Sequence, residues 1–121
     1  MSPFKGQTGL KRILNAAGYS LDGLRAAFTG EAAFRQLVLL NAVLIPLAFW
    51  LDVSPVERAL MVAAGLLSLI VELLNSAVEA AIDRISLERH PLSKNAKDMG
   101  SAAQLTSLVL IALVWSIILL G

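Results

Sequence analysis

Residues 101–120 read SAAQLTSLVLIALVWSIILL, a continuous stretch without a single charged side chain. A helix needs about 20 predominantly apolar residues to cross the roughly 30 Å hydrocarbon core of a bilayer. This stretch therefore predicts a transmembrane helix. The composition agrees, because 57% of the 121 residues are hydrophobic and only 16% are charged. Soluble domains carry about 25% charged residues, so an ordinary soluble domain is excluded.

Two further spans precede this one. Residues 59–82 (ALMVAAGLLSLIVELLNSAVEAAI) are long enough to cross a bilayer, although Glu72 and Glu79 interrupt them. Residues 37–51 (LVLLNAVLIPLAFWL) are short, and they suffice only if the span begins upstream and Arg35 extends its side chain to the interface. We predict an all-α integral membrane protein with transmembrane helices over about 32–52, 57–84 and 98–120.

Charge and cysteine content exclude several classes of function. The net charge of +1 offers no broad basic surface, so we expect no nucleic-acid partner. The chain has no cysteine, which rules out disulfides, thiolate metal sites and a thiol nucleophile. We expect residues 1–121 to form a single membrane-embedded domain.

Lys and Arg are concentrated in two of the segments outside the spans. Residues 1–36 carry five and residues 83–98 carry four, whereas the connector at 51–58 contains only Arg58. Positively charged segments remain on the cytoplasmic side of the membrane. We therefore expect a cytoplasmic amino terminus and a carboxyl terminus on the outer side of the membrane.

The amino-terminal segment carries a helical repeat of apolar side chains. The apolar positions are Leu10, Ile13, Leu14, Ala17, Leu21, Leu24 and Phe28. Spacings of three and four predict an amphipathic helix, over about residues 6–29, that lies on the membrane surface. This helix is either a plain anchor or an anchor whose basic side chains also hold a substrate phosphate.

Five polar side chains form one stripe along the second predicted span. They are Glu72, Asn75, Ser76, Glu79 and Asp83. At about 100° per residue they fall within one sector of the helix. A charged acid in mid-membrane costs roughly 2.5–3.5 kcal/mol on insertion scales. The pattern favours a functional stripe facing a protein interior, and an acid held protonated or paired for helix association is the alternative.

Acids and lysines at the cytoplasmic surface suggest metal–nucleotide chemistry. Lys97 and Asp98 lie in a connector (93–101, SKNAKDMGS) that we expect near the level of Glu79. Mg²⁺ is commonly held by one or two carboxylates together with phosphates, and Glu31 and Glu79 could be those two. Glu72 lies deeper, in less polar surroundings, and suits a general base for a lipid hydroxyl.

No standard nucleotide-binding motif is present, neither a P-loop nor a protein-kinase glycine-rich loop. From these residues alone, phosphoryl transfer to a lipid is therefore one candidate among others.

The chain resembles the prokaryotic diacylglycerol kinase family. The resemblance rests on AAGYSLDGLRAAF, GEAAFRQ, WLDVS, VELLNSAVEAAIDRI and AKDMGSAA, in that order along the sequence. It implies a homotrimer of three-span protomers in the bacterial inner membrane. It also implies transfer of the ATP γ-phosphate to diacylglycerol, with Mg²⁺, to give phosphatidic acid for lipid recycling.

The resemblance also assigns roles to residues. Glu72 would be the catalytic base, and Glu31 and Glu79 would be the metal ligands. ATP would contact Arg12, Tyr19, Glu31, Glu79, Glu88, Arg89, His90, Lys97 and Asp98. The lipid would contact Ala16, Ala17, Gly18, Tyr19, Ser20, Leu21, Arg25, Ala33, Phe34, Arg35, Gln36, Leu37, Trp50, Leu51, Asp52, Val53, Arg58, Glu72, Asn75 and Ser101.

Two alternative functions remain open. An undecaprenol kinase of the same fold would use the same phosphoryl donor with a polyprenol acceptor. A non-enzymatic membrane subunit could use its intramembrane acids for proton titration or helix pairing. The second alternative leaves Glu31, Lys97 and Asp98 without a role.

Overall fold

The computed structural model describes residues 9–121, so residues 6–8 of the expected surface helix lie outside the described part of the chain. The described residues form α1 (Gly9–Gly30), α2 (Ala32–Trp50), α3 (Pro55–Ile85) and α4 (Pro91–Leu120). The last three helices are each long and apolar enough to cross a membrane. The prediction of an all-α protein with three transmembrane helices is confirmed.

A single residue, Glu31, separates α1 from α2. Its backbone is extended, with φ −123° and ψ 108°. Arg35, in the first turn of α2, donates from Nη1 to the carbonyl oxygens of Phe28 (2.8 Å) and Thr29 (3.2 Å). These carbonyls end α1 and have no partner within it, so the guanidinium caps that helix. Arg35 therefore fixes the corner in which Glu31 lies.

The turn between α2 and α3 is held by a capping box and an arginine. The Ser54 hydroxyl accepts from the Glu57 N–H (3.2 Å), and the Glu57 carboxylate accepts from the Ser54 N–H (2.9 Å). Arg58 donates to the carbonyl oxygens of Ala48 (2.9 Å), Leu51 (3.1 Å) and Val53 (3.3 Å). The guanidinium thus ties the end of α2 to the start of α3.

Helix α4 begins at Pro91, so residues 93–101, which we expect from the sequence to form a connector, are part of the helix. His90 caps the helix, since its Nδ1 accepts from the Leu92 N–H at 3.1 Å. Proline in the first turn has a φ suited to a helix, and Lys94 pairs with Asp98 one turn later at 2.6 Å. These three features extend α4 through the lysine-rich segment.

The three long helices share a small apolar core at the end where α2 finishes and α3 begins. It consists of Ala48, Met61, Ala64, Ile111 and Trp115. The indole N–H of Trp115 donates to the Met61 carbonyl at 3.3 Å, which satisfies the one polar atom of that side chain. Large apolar side chains such as Leu39 and Leu113 face outward and are exposed, as expected for helices surrounded by lipid.

Candidate active site

The side chain of Glu72 projects from α3 into the packed interior between the helices, and only 6% of the residue surface is exposed. Its Oε1 accepts a hydrogen bond from Gln104 Nε2 on α4 at 3.0 Å. The Ser76 hydroxyl lies at 3.5 Å from Oε2. The stripe of acids therefore does turn its deepest member toward the protein interior, as the sequence indicated.

A chain of buried polar side chains continues from Glu72 into the bundle. Gln104 Nε2 also donates to the carbonyl oxygen of Ser68 at 3.0 Å. The Ser68 hydroxyl in turn accepts from Asn41 Nδ2 on α2 at 3.3 Å. The Ser107 hydroxyl donates to Gln104 Oε1. Residues from all three long helices thus form one polar network that ends at Glu72.

Sequence reasoning missed this network. Its members are uncharged polar residues within otherwise apolar spans, for which the sequence analysis predicts a membrane helix and no further role: Asn41, Ser68, Gln104 and Ser107. A usable signal existed, because polar side chains inside a span face other helices and hydrogen-bond across them.

A cleft of about 600 Å³ separates α1 from α3. Glu31 lines it, and Ser76, which contacts Glu72, lies in the wall formed by α3. Ser20 of the expected lipid-contacting set also lines it. The cleft therefore lies one helical turn from Glu72.

Lys97 joins α4 to the acidic stripe of α3. Its Nζ donates to Asp83 Oδ1 at 2.9 Å, which confirms the expected proximity of the lysine segment to the stripe. The two charged groups form an ion pair at this distance. Lys97 therefore links the start of α4 to the carboxyl-terminal end of the stripe on α3.

A second cleft, of about 590 Å³, opens where α3 ends and α4 begins. Five of the residues expected to contact ATP line it: Glu88, Arg89, His90, Lys97 and Asp98. Arg12 and Tyr19 lie on α1 instead, outside its lining. The structure thus brings together the expected nucleotide residues of α4 and of the connector before it, whereas Glu79 of α3 and Glu31 lie outside this lining.

The residues of α1, α2 and the following turn that are expected to contact the lipid fall into two separate groups. Those at 16–21 lie in the middle of α1 and those at 33–37 at the start of α2, whereas those at 50–53 lie at the far end of α2 and just after it. At 1.5 Å per residue, the part of α2 from Leu37 to Trp50 separates the groups by roughly 20 Å. Arg58 belongs to the far group, where it holds the α2–α3 turn. The structure does not bring the two groups together.

The Asn75 side chain lies against α4 at Gly100. Its Oδ1 is buried and has no hydrogen-bond partner. A Cβ atom added to Gly100 would overlap this oxygen. Ser101, the other residue expected to help position the lipid, is exposed. Helices α3 and α4 can therefore approach closely at this level because Gly100 has no side chain.

The chain matches known proteins along nearly its whole length. The family model for prokaryotic diacylglycerol kinase matches residues 18–119. The chain belongs to this family. A protein named diacylglycerol kinase from Pseudomonas aeruginosa strain PAO1 is 77% identical over 120 residues, which cover 99% of this chain and 98% of the relative. A protein of the same name from Escherichia coli K12 is 50% identical over 112 residues, which cover 93% of this chain and 92% of the relative. Another from Helicobacter pylori 26695 is 46% identical over 113 residues, which cover 93% of this chain and 88% of the relative.

Glu31 and Glu79 are the candidate metal ligands in this member of the diacylglycerol kinase family. Within residues 9–121, no three carboxylate, imidazole or thiol side chains cluster closely enough to hold a metal ion. Mg²⁺ bound with a nucleotide needs only one or two carboxylates, because phosphates and water complete its coordination. Glu31 makes no side-chain hydrogen bond as the cap of α2, so its carboxylate is not engaged there. The two carboxylates are the type of donor that Mg²⁺ takes beside a nucleotide, but neither lines the cleft that gathers the other expected nucleotide residues.

Gly100→Ala should destabilise the protein by about 1–3 kcal/mol, because the new methyl group has to displace the buried amide of Asn75. Thermal unfolding in detergent micelles measures the effect. Gly18→Ala is the matched control, since a Cβ atom there meets nothing within 4 Å. Unchanged unfolding of the Gly100 variant would show that α3 and α4 do not pack closely at this level.

Proposed function

We propose that this protein transfers the γ-phosphate of ATP to the hydroxyl of diacylglycerol, giving phosphatidic acid and ADP and returning diacylglycerol to phospholipid synthesis. Membership of the prokaryotic diacylglycerol kinase family supports this activity. The observation that carries it is the buried carboxylate of Glu72 in a membrane-spanning helix, one turn from a cleft that opens toward α1. An ionisable side chain inside a membrane span is costly and marks a functional site, and a base for a membrane-embedded hydroxyl is the role that fits the family.

Glu72 acts as the general base. The lipid hydroxyl gives its proton to the carboxylate as its oxygen forms a bond to the γ-phosphorus. The bond between that phosphorus and the β–γ bridging oxygen breaks, and ADP leaves with the electron pair. Phosphoryl transfer depends mainly on positioning and charge stabilisation, so one base and several fixed charges are sufficient protein chemistry.

Glu31 and Glu79 would hold Mg²⁺ together with the nucleotide phosphates, although neither residue lines the cleft between α3 and α4. When bound, the ion neutralises negative charge on those phosphates. Lys97 contributes a point charge, and its pairing with Asp83 keeps the ammonium at the mouth of the cleft between α3 and α4. That cleft, with Arg89 and His90 in its wall, is the proposed nucleotide site.

The three spans and the bacterial family place the protein in a bacterial membrane. We propose the inner membrane, with the amino terminus cytoplasmic and the carboxyl terminus periplasmic. The distribution of Lys and Arg supports this orientation, because it puts Lys97 and Glu31 on the side where ATP is present. In this orientation α1 lies along the cytoplasmic membrane surface.

A homotrimer is the assembly we propose, following the family resemblance. The small side chains Ala63 and Ala81 are exposed on α3, outside the lining of both clefts. Small residues let transmembrane helices approach closely. A neighbouring protomer packed there would cover α3 and complete the walls of the site.

The activity is tested by phosphate transfer from labelled Mg-ATP in mixed micelles, with diacylglycerol and undecaprenol offered in parallel. We expect the label in phosphatidic acid. Preferential labelling of undecaprenol would retain the fold and the base but replace the substrate. No transfer to either lipid, from a folded sample, would favour the titrating-subunit alternative.

A further inference from the structure

We propose that Gln104 is a positioning residue that fixes the Glu72 carboxylate and selects Oε2 as the oxygen that takes the lipid proton. The inference rests on the proposed function, because it concerns how the same base is oriented. Gln104 is half-buried on α4, opposite the turn of α3 that contains Glu72.

Both ends of the Gln104 amide are held. Nε2 donates to the Ser68 carbonyl and to Glu72 Oε1, each at 3.0 Å. Oε1 of the amide accepts from the Ser107 hydroxyl one turn along α4. A flipped amide would direct its oxygen at the Ser68 carbonyl, which can only accept, so this network permits one orientation.

The Ser68 carbonyl is a fixed reference point. In an α-helix this oxygen accepts from the N–H four residues later, which is that of Glu72. Gln104 uses the second lone pair of the same oxygen. The amide therefore bridges the backbone and the side chain of one helical turn, and the Glu72 carboxylate is held relative to its own helix.

This bridge makes the two oxygens of Glu72 different. Oε1 is occupied by the amide, whereas Oε2 is directed toward Ser76. Ser76 lines the cleft between α1 and α3 that also contains Glu31. A lipid hydroxyl entering through that cleft meets Oε2, so Gln104 determines which oxygen is presented to the substrate.

The decisive variant is Gln104→Met, which keeps the length of the side chain and removes the donor. We expect kcat to fall roughly tenfold, the effect of losing one hydrogen bond to a charged group. The KM values for Mg-ATP and diacylglycerol should be unchanged, because Gln104 contacts neither proposed binding cleft. Thr106→Val is the matched control and should retain full activity, since the Thr106 hydroxyl is exposed and bonds only within α4.

Ser107→Ala is a milder second variant, in which the amide keeps its donor and loses the hydroxyl that orients it. We expect a fall in kcat of about threefold, less than for Gln104→Met. If thermal unfolding in micelles shows that Gln104→Met folds poorly, the inference is tested with Ser107→Ala instead.

A double-mutant cycle separates positioning from general stability. Gln104→Met should have no further effect on the residual rate of Glu72→Gln, because it acts through the carboxylate that is already absent. A further tenfold loss in that background would overturn the inference, and so would unchanged kcat in both the Gln104 and Ser107 variants. Absence of lipid phosphorylation by the unsubstituted protein would instead overturn the proposed function, and the inference with it.

Discussion

Glu72→Gln should lower kcat for lipid phosphorylation by about a thousandfold, within the range of 10²–10⁴ that general-base catalysis contributes. The amide has the shape of the carboxylate, and its oxygen can still accept from Gln104 Nε2. It cannot take a proton from the lipid hydroxyl. Initial rates of phosphate transfer from labelled Mg-ATP to diacylglycerol, at saturating concentrations of both, measure the loss.

Asp22→Asn provides the matched acid-to-amide control for this variant. Asp22 lies on α1 and is exposed, outside the lining of both clefts. Its substitution should leave kcat within twofold of the unsubstituted protein, roughly the noise of such assays. Glu72→Gln should also unfold at a normal temperature and bind ATP normally, so that the loss is confined to turnover. Near-normal turnover of folded Glu72→Gln would show that Glu72 is not the base.

The transmembrane architecture could be predicted because it depends on a strong signal. Uncharged or nearly uncharged runs of sufficient length marked α2, α3 and α4. The burial of Glu72 could be predicted from the same physics, since an acid in mid-membrane is tolerated only when it faces protein or water. The pairing of Lys97 with the acidic stripe could also be predicted, because the ends of the spans place both at a similar depth in the membrane on neighbouring helices.

What surrounds Glu72 could not be predicted, because it depends on the rotation of α4 relative to α3. Gln104 and Thr106 are both polar residues of one apolar run, yet Gln104 meets Glu72 and Thr106 is exposed. A difference of two residues rotates a side chain by about 200° around the helix. Only packing decides which of the two positions faces inward.

The start of α4 escaped prediction for a local reason. A segment with several charged residues before an apolar span is typical of a connector, yet here it is the first two turns of the helix. The cap supplied by His90 and the ion pair between Lys94 and Asp98 favour the helix. As a result Lys97 lies on the face of α4 that meets Asp83.

Glu31→Gln and Glu79→Gln should each raise the KM for Mg-ATP by about a hundredfold. This is at or above the 10–100-fold loss of affinity or activity that follows removal of a supporting residue of a metal site. Each variant loses one of two anionic ligands while keeping its size. Glu31 makes no side-chain hydrogen bond that caps α2, so its substitution should leave the helix intact. Initial rates measured across a series of Mg²⁺ and ATP concentrations give the effect as a rise in KM.

The two ligand variants should differ from Glu72→Gln in how they respond to added metal. A weakened site fills again at high Mg²⁺, or with Mn²⁺, which binds such oxygen ligands more tightly. We therefore expect excess metal to restore much of the rate lost at limiting Mg-ATP in Glu31→Gln and Glu79→Gln, and none of the rate lost in Glu72→Gln, because a missing base is not replaced by filling a metal site. Mg²⁺ dependence identical to that of the unsubstituted protein in both ligand variants would remove Glu31 and Glu79 as ligands, whereas rescue of Glu72→Gln by metal would reassign Glu72 to the ion.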